Sequence, residues 1–177
     1  GWVQLDEPML VTELSEEDIV LFQSIYNIIL RHKGKTRVLL QTYFGDVRDC
    51  YKELVQLAVD GIGLDFLEGK KTMELIEENG FPEDKILFAG IVNGKNIWKC
   101  DYKKALNLVK KIKENTKDIV ISTSCSLLHV PYTLENEVNL SEDVVKYFAF
   151  AKEKLQEIKE ICQLADQGNY ELNESYM

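Results

Sequence analysis

The segment Ile86-Leu87-Phe88-Ala89-Gly90-Ile91-Val92 is an unbroken apolar run that ends at the turn-forming pair Asn93-Gly94. An apolar run without alternation is typical of a strand that is buried on both faces of a parallel sheet. Other short runs rich in β-branched residues have the same character, at residues 3–5, 38–41, 62–66 and 119–122. Together these segments predict five parallel strands.

Longer stretches with helical periodicity separate the predicted strands. Ser15 followed by Asp18 resembles a capping box and predicts a helix up to about residue 32. Its predicted inward stripe consists of Ile19, Phe22, Ile25 or Tyr26, and Ile29. Further helices are predicted over residues 48–59 and 70–79, and from the capping residues Asp101 and Ser141. The last helix has one apolar stripe, formed by Val144, Phe148, Ala151, Leu155, Ile158 and Cys162.

These strand–helix units fit two α/β architectures. One is a complete doubly wound sheet of the flavodoxin type, and the other is the last part of an eightfold (βα) barrel of the TIM type. The chain opens inside a strand without an initiator Met, and polar residues follow every strand, as in the ring at a barrel mouth. We therefore expect an incomplete TIM-type barrel of about five βα units over residues 1–165, and a polar tail or linker over residues 166–177.

Composition and charge restrict the classes of partner. The 177 residues are 45% hydrophobic and carry a formal net charge of −9, which argues against nucleic acid, although anionic small substrates stay open. No apolar run reaches the roughly 20 residues that cross a membrane, and no signal peptide precedes the first strand. The four cysteines lie far apart, which fits reduced thiols better than a disulfide framework or a zinc clip. We expect a cytoplasmic protein.

The strand exit Asn93-Gly94-Lys95-Asn96 is the most turn-like in the chain. Its backbone amides and Lys95 could hold an anionic group, which makes Asn93, Lys95 and Asn96 candidate substrate-binding residues. The alternative, which we favour, is a tight turn with an exposed lysine. No GxGxxG or Walker P-loop follows any strand, and this removes the usual nucleotide fingerprints.

Two further pairs of residues have reactive side chains. Cys125 and His129 could form a thiolate nucleophile or half of a metal site, but Pro131 disfavours a continuous helix and no other Cys or His lies nearby. We favour a buried cysteine and a loop histidine bonded to backbone.

Asp6 and Glu7 could act as acid and base. Neighbouring residues of a strand point to opposite faces, however, so one carboxylate serves the strand ends and the other caps a helix or pairs with a lysine. We predict no catalytic residue and no metal ligand.

Five blocks of the sequence, taken in order, resemble one known family. They are Val3-Gln4-Leu5-Asp6-Glu7-Pro8-Met9-Leu10-Val11, Thr42-Tyr43-Phe44, Gly90-Ile91-Val92-Asn93-Gly94-Lys95-Asn96-Ile97-Trp98, Ser124-Cys125-Ser126-Leu127-Leu128-His129-Val130-Pro131 and Tyr147-Phe148-Ala149-Phe150-Ala151. In this order and spacing they resemble the N-terminal domain of cobalamin-independent methionine synthases. The resemblance covers nearly the whole chain.

The resemblance implies a parent enzyme built from two eightfold (βα) barrels. That family transfers a methyl group from a methyltetrahydrofolate polyglutamate to homocysteine, whose sulfur is bound as a thiolate by zinc. Its zinc, homocysteine and pterin are held mainly by the C-terminal barrel, and the folate tail by early residues of the N-terminal barrel. Because this chain resembles neither region, no site residue carries over and no cofactor is expected here. Cys125 is a candidate relic of the duplicated barrel's zinc cysteine.

Two functions therefore remain open at the level of sequence. The first is a structural part of the N-terminal barrel of a methionine synthase, inactive alone and prone to self-association through open sheet edges. The second is a self-sufficient five-stranded α/β binding or interaction module, with a site at residues 93–96 or at Cys125.

Overall fold

The strands of this protein form one parallel sheet in sequential order. The computed structural model describes residues 1–168. The sheet order is β1-β2-β3-β4-β5, and each neighbouring pair is parallel. The strands are β1 (Trp2–Asp6), β2 (Arg37–Gln41), β3 (Gly61–Asp65), β4 (Ile86–Val92) and β5 (Asp118–Thr123). The α/β class and the parallel strands are confirmed, whereas the flavodoxin-type alternative is wrong, because that fold has the order 2-1-3-4-5.

Helices follow the strands along the chain. They are α1 (Glu16–Arg31), α2 (Tyr51–Gln56), α3 (Thr72–Asn79), α4 (Tyr102–Asn115), α5 (Glu142–Val145) and α6 (Ala151–Asp166). The predicted capping box opens α1: the Asp18 N–H donates to Ser15 Oγ at 3.2 Å, and the Ser15 N–H donates to Asp18 Oδ2 at 3.0 Å. Over residues 1–168, none of the helices has the length and apolar character needed to cross a membrane.

The two faces of the sheet carry different side chains. The face toward the helices is apolar, with Leu40, Ile62, Leu64, Leu87 and Ala89 in the hydrophobic core. On the opposite face, one row crosses all five strands and consists of Asp6, Gln41, Gly63, Phe88 and Val120. Right-handed crossovers between sequential parallel strands place every connecting helix on one side of the sheet. The arrangement is consistent with part of a barrel whose interior is the polar face.

A neighbouring side chain occupies the space beside one glycine of this row. A Cβ atom at Gly63 would lie 2.0 Å from Oε1 of Gln41, far inside van der Waals contact. The missing side chain therefore lets Gln41 extend across β3, where its Nε2 donates to the Thr42 carbonyl at 2.9 Å.

The prediction of one continuous last helix from Ser141 is wrong. Helix α5 ends at Val145 and α6 begins at Ala151. Between the two helices the chain makes a turn at Lys146 and Tyr147, and Phe148 then forms an antiparallel bridge with Trp98. The Ala149 N–H donates to the Ile97 carbonyl at 2.8 Å. These backbone bonds to a distant segment, together with the aromatic contact of Trp98 and Phe148, replace the helical bonds at this point.

The buried faces of α1 and α6 also differ from the predicted stripes. On α1 the buried residues are Phe22, Tyr26 and Leu30, whereas Ile25 and Ile29 are 45% and 43% exposed. On α6 the predicted Leu155 is 58% exposed, and the buried residues are Lys154, Glu157, Ile161, Leu164 and Ala165. Both helices carry apolar residues on more than one face, so periodicity alone does not identify the face that meets the sheet.

The second and third helices are shorter than predicted, and the last helix ends near the predicted boundary between barrel and tail. The prediction of 48–59 contracts to α2 (Tyr51–Gln56), and that of 70–79 contracts to α3 (Thr72–Asn79). Helix α6 ends at Asp166, the first residue of the predicted tail over 166–177. Residues 169–177 lie outside the described residues, and the division into a barrel part and a tail stays a prediction.

Candidate functional site at the carboxyl ends of the strands

The carboxyl ends of the five parallel strands lie along the same edge of the sheet. This edge brings together polar groups that are distant in sequence: Asp6 at the end of β1, Tyr43 after β2, Asp65 at the end of β3, Lys95 after β4 and Cys125 after β5. In open and closed parallel α/β sheets this is the edge at which ligands bind. It is therefore the candidate site.

The Asn93–Asn96 exit is a turn held by its own asparagines. Oδ1 of Asn93 accepts from the backbone N–H groups of Lys95 and Asn96 at 2.8 and 2.9 Å. Oδ1 of Asn96 accepts from the Trp98 N–H at 3.1 Å. Both amide oxygens therefore accept hydrogen bonds from the backbone of the turn itself. A ligand role for Asn93 and Asn96 stays a prediction.

Lys95 is already paired with a carboxylate. Its Nζ lies 2.5 Å from Oε1 of Glu68, and this bond raises the pKa of Lys95. The same ammonium lies 4.7 Å from the centre of the Phe44 ring, a cation–π contact. An anion would have to displace Glu68 from the Lys95 ammonium. Lys95 is therefore a weaker candidate for anion binding than an unpaired lysine.

Asp65 is the most deeply buried acidic group at the strand ends. Its Oδ1 accepts from the N–H groups of Leu67 and Glu68 at 2.8 and 3.0 Å, whereas Oδ2 finds no partner within residues 1–168. Burial raises the pKa of this carboxyl against the opposing effect of the two backbone bonds. The group therefore favours its protonated form more than an exposed aspartate does.

Cys125 and His129 have different surroundings. Cys125 is buried, and desolvation raises the pKa of its thiol, which disfavours a thiolate nucleophile. Its loop packs on the Asn93–Asn96 turn, since a Cβ atom at Gly94 would lie 2.5 Å from the Cys125 carbonyl oxygen. His129 lies against the Phe44 ring, with ring centres 5.4 Å apart. The favoured buried cysteine is confirmed, and the histidine is stacked edge-to-face on an aromatic ring.

Asp6 and Glu7 point to opposite sides of β1, as the strand period predicts. Asp6 accepts from Gln4 Nε2 at 2.7 Å on the polar face of the sheet. Glu7 accepts from the Tyr26 hydroxyl of α1 at 3.0 Å, so its partner is a tyrosine and not the predicted lysine or helix cap. Only the Asp6 carboxylate lies at the strand ends, so Asp6 and Glu7 do not form an acid–base pair there.

A cavity on the polar face of the sheet was not predicted from the sequence. It has a volume of about 250 Å³ and is lined by Gln4, Asp6, Leu39, Gln41, Tyr43, Phe88, Ser122, Thr123, Cys125 and Ser126. Burial, followed by the Asp6 carboxylate, raises the pKa of Tyr43 at its rim. The alternation of Gln4 and Asp6 with Val3 and Leu5 along β1 is the signal that could have revealed this face.

The backbone at Phe44 is the second missed feature. Phe44 has φ +33°, in the left-handed region that non-glycine residues rarely adopt. Its ring contacts Tyr43, His129 and Lys95. These contacts hold the strained residue in place. No sequence pattern predicts a positive φ at a phenylalanine.

Metal binding has no support in the geometry of the described part of the chain. Across residues 1–168, no group of three or more His, Cys, Asp or Glu side chains is arranged to hold a metal ion. Structural and catalytic zinc sites need at least three such protein ligands. The donor set at the strand ends therefore does not fit zinc.

Comparisons with known proteins agree with the resemblance stated from the sequence. The family model described as "Cobalamin-independent synthase, N-terminal domain" matches residues 1–117. A 5-methyltetrahydropteroyltriglutamate–homocysteine methyltransferase from Lactococcus lactis subsp. cremoris is 53% identical over 171 residues, which are 97% of this chain and 22% of that protein. A protein of the same name from Campylobacter jejuni subsp. jejuni is 53% identical over 163 residues, 92% of this chain and 22% of its own length. The chain thus spans about a fifth of the length of these curated relatives. It belongs to the family of the cobalamin-independent synthase N-terminal domain.

Proposed function

We propose that this chain is a structural part of the N-terminal barrel of a methionine synthase. In this proposal the whole enzyme transfers the methyl group of 5-methyltetrahydropteroyltriglutamate to homocysteine, the two substrates that the relatives' name contains. The supporting observation is the sheet itself, with strands in sequential order, one face covered by helices and one polar face open. Such a sheet approaches closure when more strands of the same kind are added, and a TIM-type barrel has eight.

The strand-end groups support a structural role for this part of the barrel. Lys95 is paired with Glu68, and the asparagines of the adjoining turn accept backbone bonds. The Cys125 thiol is buried and the described residues do not fit zinc. In the proposal, zinc and both substrates are held by the rest of the enzyme, and the isolated chain is inactive. The cysteines Cys50, Cys100, Cys125 and Cys162 are free thiols, which suits a reducing cytoplasm.

A segment exchange tests the proposal directly. The matched 171-residue segment of the Lactococcus lactis methyltransferase is replaced by the corresponding part of this chain, and methionine formation from the two substrates is measured. We expect the exchanged enzyme to keep turnover within about tenfold of its parent, because a scaffold segment leaves the reacting groups in place. The isolated chain serves as the control and should show no turnover.

Three results would contradict the proposal. Stoichiometric zinc in the purified isolated chain, or turnover by that chain alone, would place the chemistry within these residues. An exchanged enzyme that folds but has lost activity would show that the segment does not fit a methionine synthase barrel. Binding of a small molecule to the isolated chain would support the self-sufficient module instead.

A further inference from the structure

A short segment, residues 97–100, connects the Asn93–Asn96 turn to the start of α4 and is called here the strap. Its Lys99 N–H donates to the Tyr147 carbonyl at 2.9 Å, so one side of the strap is bound to the segment between α5 and α6. The Trp98 side chain of the strap is 56% exposed. The strap lies between β4 and α4, and its position therefore depends on its contacts with neighbouring segments.

Helix α6 holds the other side of the strap through two ionisable side chains of opposite charge. Nζ of Lys154 donates to the Trp98 carbonyl at 2.9 Å, and Oε1 of Glu157 accepts from the Cys100 N–H at 2.9 Å. Residues three positions apart lie on the same face of a helix. Lys154 is 0% exposed and Glu157 is 6% exposed. Both bonds from α6 to the strap are thus made by ionisable groups that are shielded from water.

Neither buried charge has an ion-pair partner. Over residues 1–168, none of the ion pairs includes Lys154 or Glu157. Oε2 of Glu157 is buried and has no hydrogen-bond partner in the same part of the chain. Burial of a charge without a close partner is strongly unfavourable. The two groups that bind the strap therefore also favour its separation from α6, because separation returns both charges to water.

The surroundings of the two groups determine the direction of their titration. The titratable and charged groups around Glu157 come from α6, the strap and the start of α4, and they are Lys154, Glu160, Lys99, Cys100 and Tyr102. Those around Lys154 are Glu157, Cys100 and Cys125. Burial is the largest influence on both groups: it raises the pKa of Glu157 and lowers the pKa of Lys154.

We propose that the strap is a pH-sensitive latch, which α6 holds most firmly when Glu157 is protonated and which separates most readily at a pH between the titrations of Glu157 and Lys154, where both side chains are buried charges. Because the strap continues the Asn93–Asn96 turn, its separation from α6 loosens the exit of β4 at the strand ends. The latch is a property of the described residues and does not depend on the reaction of a longer enzyme.

The sign of the pH dependence follows from the two shifts. The pKa of Glu157 is raised above 4.5 in the closed state, so its contribution to closure is complete below pH 4.5 and is lost as the pH rises through the raised pKa. The pKa of Lys154 is lowered below 10.5, so its contribution is complete above pH 10.5 and is lost as the pH falls through the lowered pKa. From mildly acidic to neutral pH, the strap should therefore open more readily as Glu157 ionises.

Hydrogen exchange at the Cys100 amide measures the opening, because this N–H exchanges when the strap leaves Glu157. Mass spectrometry with fragmentation to single amides gives its protection factor, corrected for the intrinsic exchange rate at each pH. We expect the protection of the Cys100 amide to be at least about threefold higher at a pH of about 5.5 than at about 7.5. The Ser124 amide, which donates to the Val92 carbonyl at 2.8 Å in the sheet, is the reference for changes in global stability.

The variant Glu157→Gln tests the origin of this dependence. Its amide oxygen can still accept from the Cys100 N–H, but the side chain does not titrate. We expect its protection factor at Cys100 to change less than about 1.5-fold between the two pH values and to exceed that of wild type at the higher one. Glu160→Gln is the matched control, because both oxygens of Glu160 are already bonded, to Tyr102 and Gln156. It should keep the wild-type pH dependence.

Three results would overturn the latch. The first is a wild-type Cys100 protection that is constant or rises with pH, which decides the question even if Glu157→Gln does not fold. The second is a Cys100 amide whose protection changes in parallel with that of Ser124, since global stability then explains the effect. The third is a folded Glu157→Gln chain that keeps the wild-type pH dependence. The activity of the exchanged enzyme is measured separately, so the latch and the proposed function can fail independently.

Discussion

Asp65 shows how a single residue links burial to pH dependence. Its side chain is only about 1% exposed and one carboxylate oxygen has no partner within residues 1–168. Burial raises its folded-state pKa above the ordinary value of 3.8. A raised folded pKa means that the folded state binds the proton more tightly than the unfolded state. The stability that this group provides is therefore complete below pH 3.8 and is lost as the pH rises through the folded pKa.

The variant Asp65→Asn removes this titration. The amide oxygen can still accept from Leu67 and Glu68, so the turn after β3 keeps its bonds. We expect the free energy of unfolding of Asp65→Asn, relative to wild type, to improve as the pH rises from about 4 to about 7. Urea denaturation at both pH values measures this difference. A relative stability that is constant, or that falls with rising pH, would contradict the raised pKa.

At the scale of the element, α1 owes its first turn to Ser15. The Asp18 N–H donates to the Ser15 hydroxyl, and the Ser15 N–H donates to Asp18. We expect Ser15→Ala to lower the free energy of unfolding by about 1 kcal/mol, because an orphan N–H of the first turn loses its acceptor. Ser24→Ala in the middle of α1 is the control: Ser24 Oγ bonds to the Val20 carbonyl, and alanine is the better helix former there. Equal losses in thermal or urea unfolding would contradict a capping role for Ser15.

The attachment of α6 depends on a buried lysine. Nζ of Lys154 donates to the Trp98 carbonyl at 2.9 Å, and the side chain is fully buried. We expect Lys154→Met to cost about 1–3 kcal/mol of unfolding free energy, because the Trp98 carbonyl loses the donor that the buried lysine provides. Lys159→Met, at an exposed position of the same helix, should stay within about 0.5 kcal/mol. A Lys154→Met protein as stable as Lys159→Met in urea would show that the bond contributes nothing.

The strands and most helix starts could be predicted because their signals are local. The apolar run of β4 and the capping pair Ser15 and Asp18 determine structure within a few residues. The break between α5 and α6 could not be predicted, because Phe148 leaves the helix for a bridge to Trp98, which lies 50 residues away in sequence. The strand-end edge was predictable from the strand order, but the cavity beside Tyr43 needed the three-dimensional arrangement of all five strands.

At the scale of the whole molecule, the sheet ends in a free strand edge at β1. Within the described residues, β1 bonds only to β2. The Arg37 N–H donates to the Gly1 carbonyl, and the Glu7 N–H donates to the Gln41 carbonyl. Odd-numbered residues of β1 therefore direct their backbone groups toward β2, and the even-numbered Gln4 directs its N–H outward. A free edge of this kind is a template for pairing with another chain.

We therefore expect the purified chain to self-associate, and Gln4→Pro to reduce that association at least about fivefold. Proline removes the outward N–H of Gln4 and leaves the ladder to β2 in place, which is why edge strands tolerate it. Val3→Pro is the matched control, because it removes a donor that faces β2 and should destabilise the fold. Sedimentation velocity gives the association and circular dichroism the fold. A monomeric wild-type chain, or a Gln4→Pro chain that is folded and associates as before, would show that this edge is not the contact.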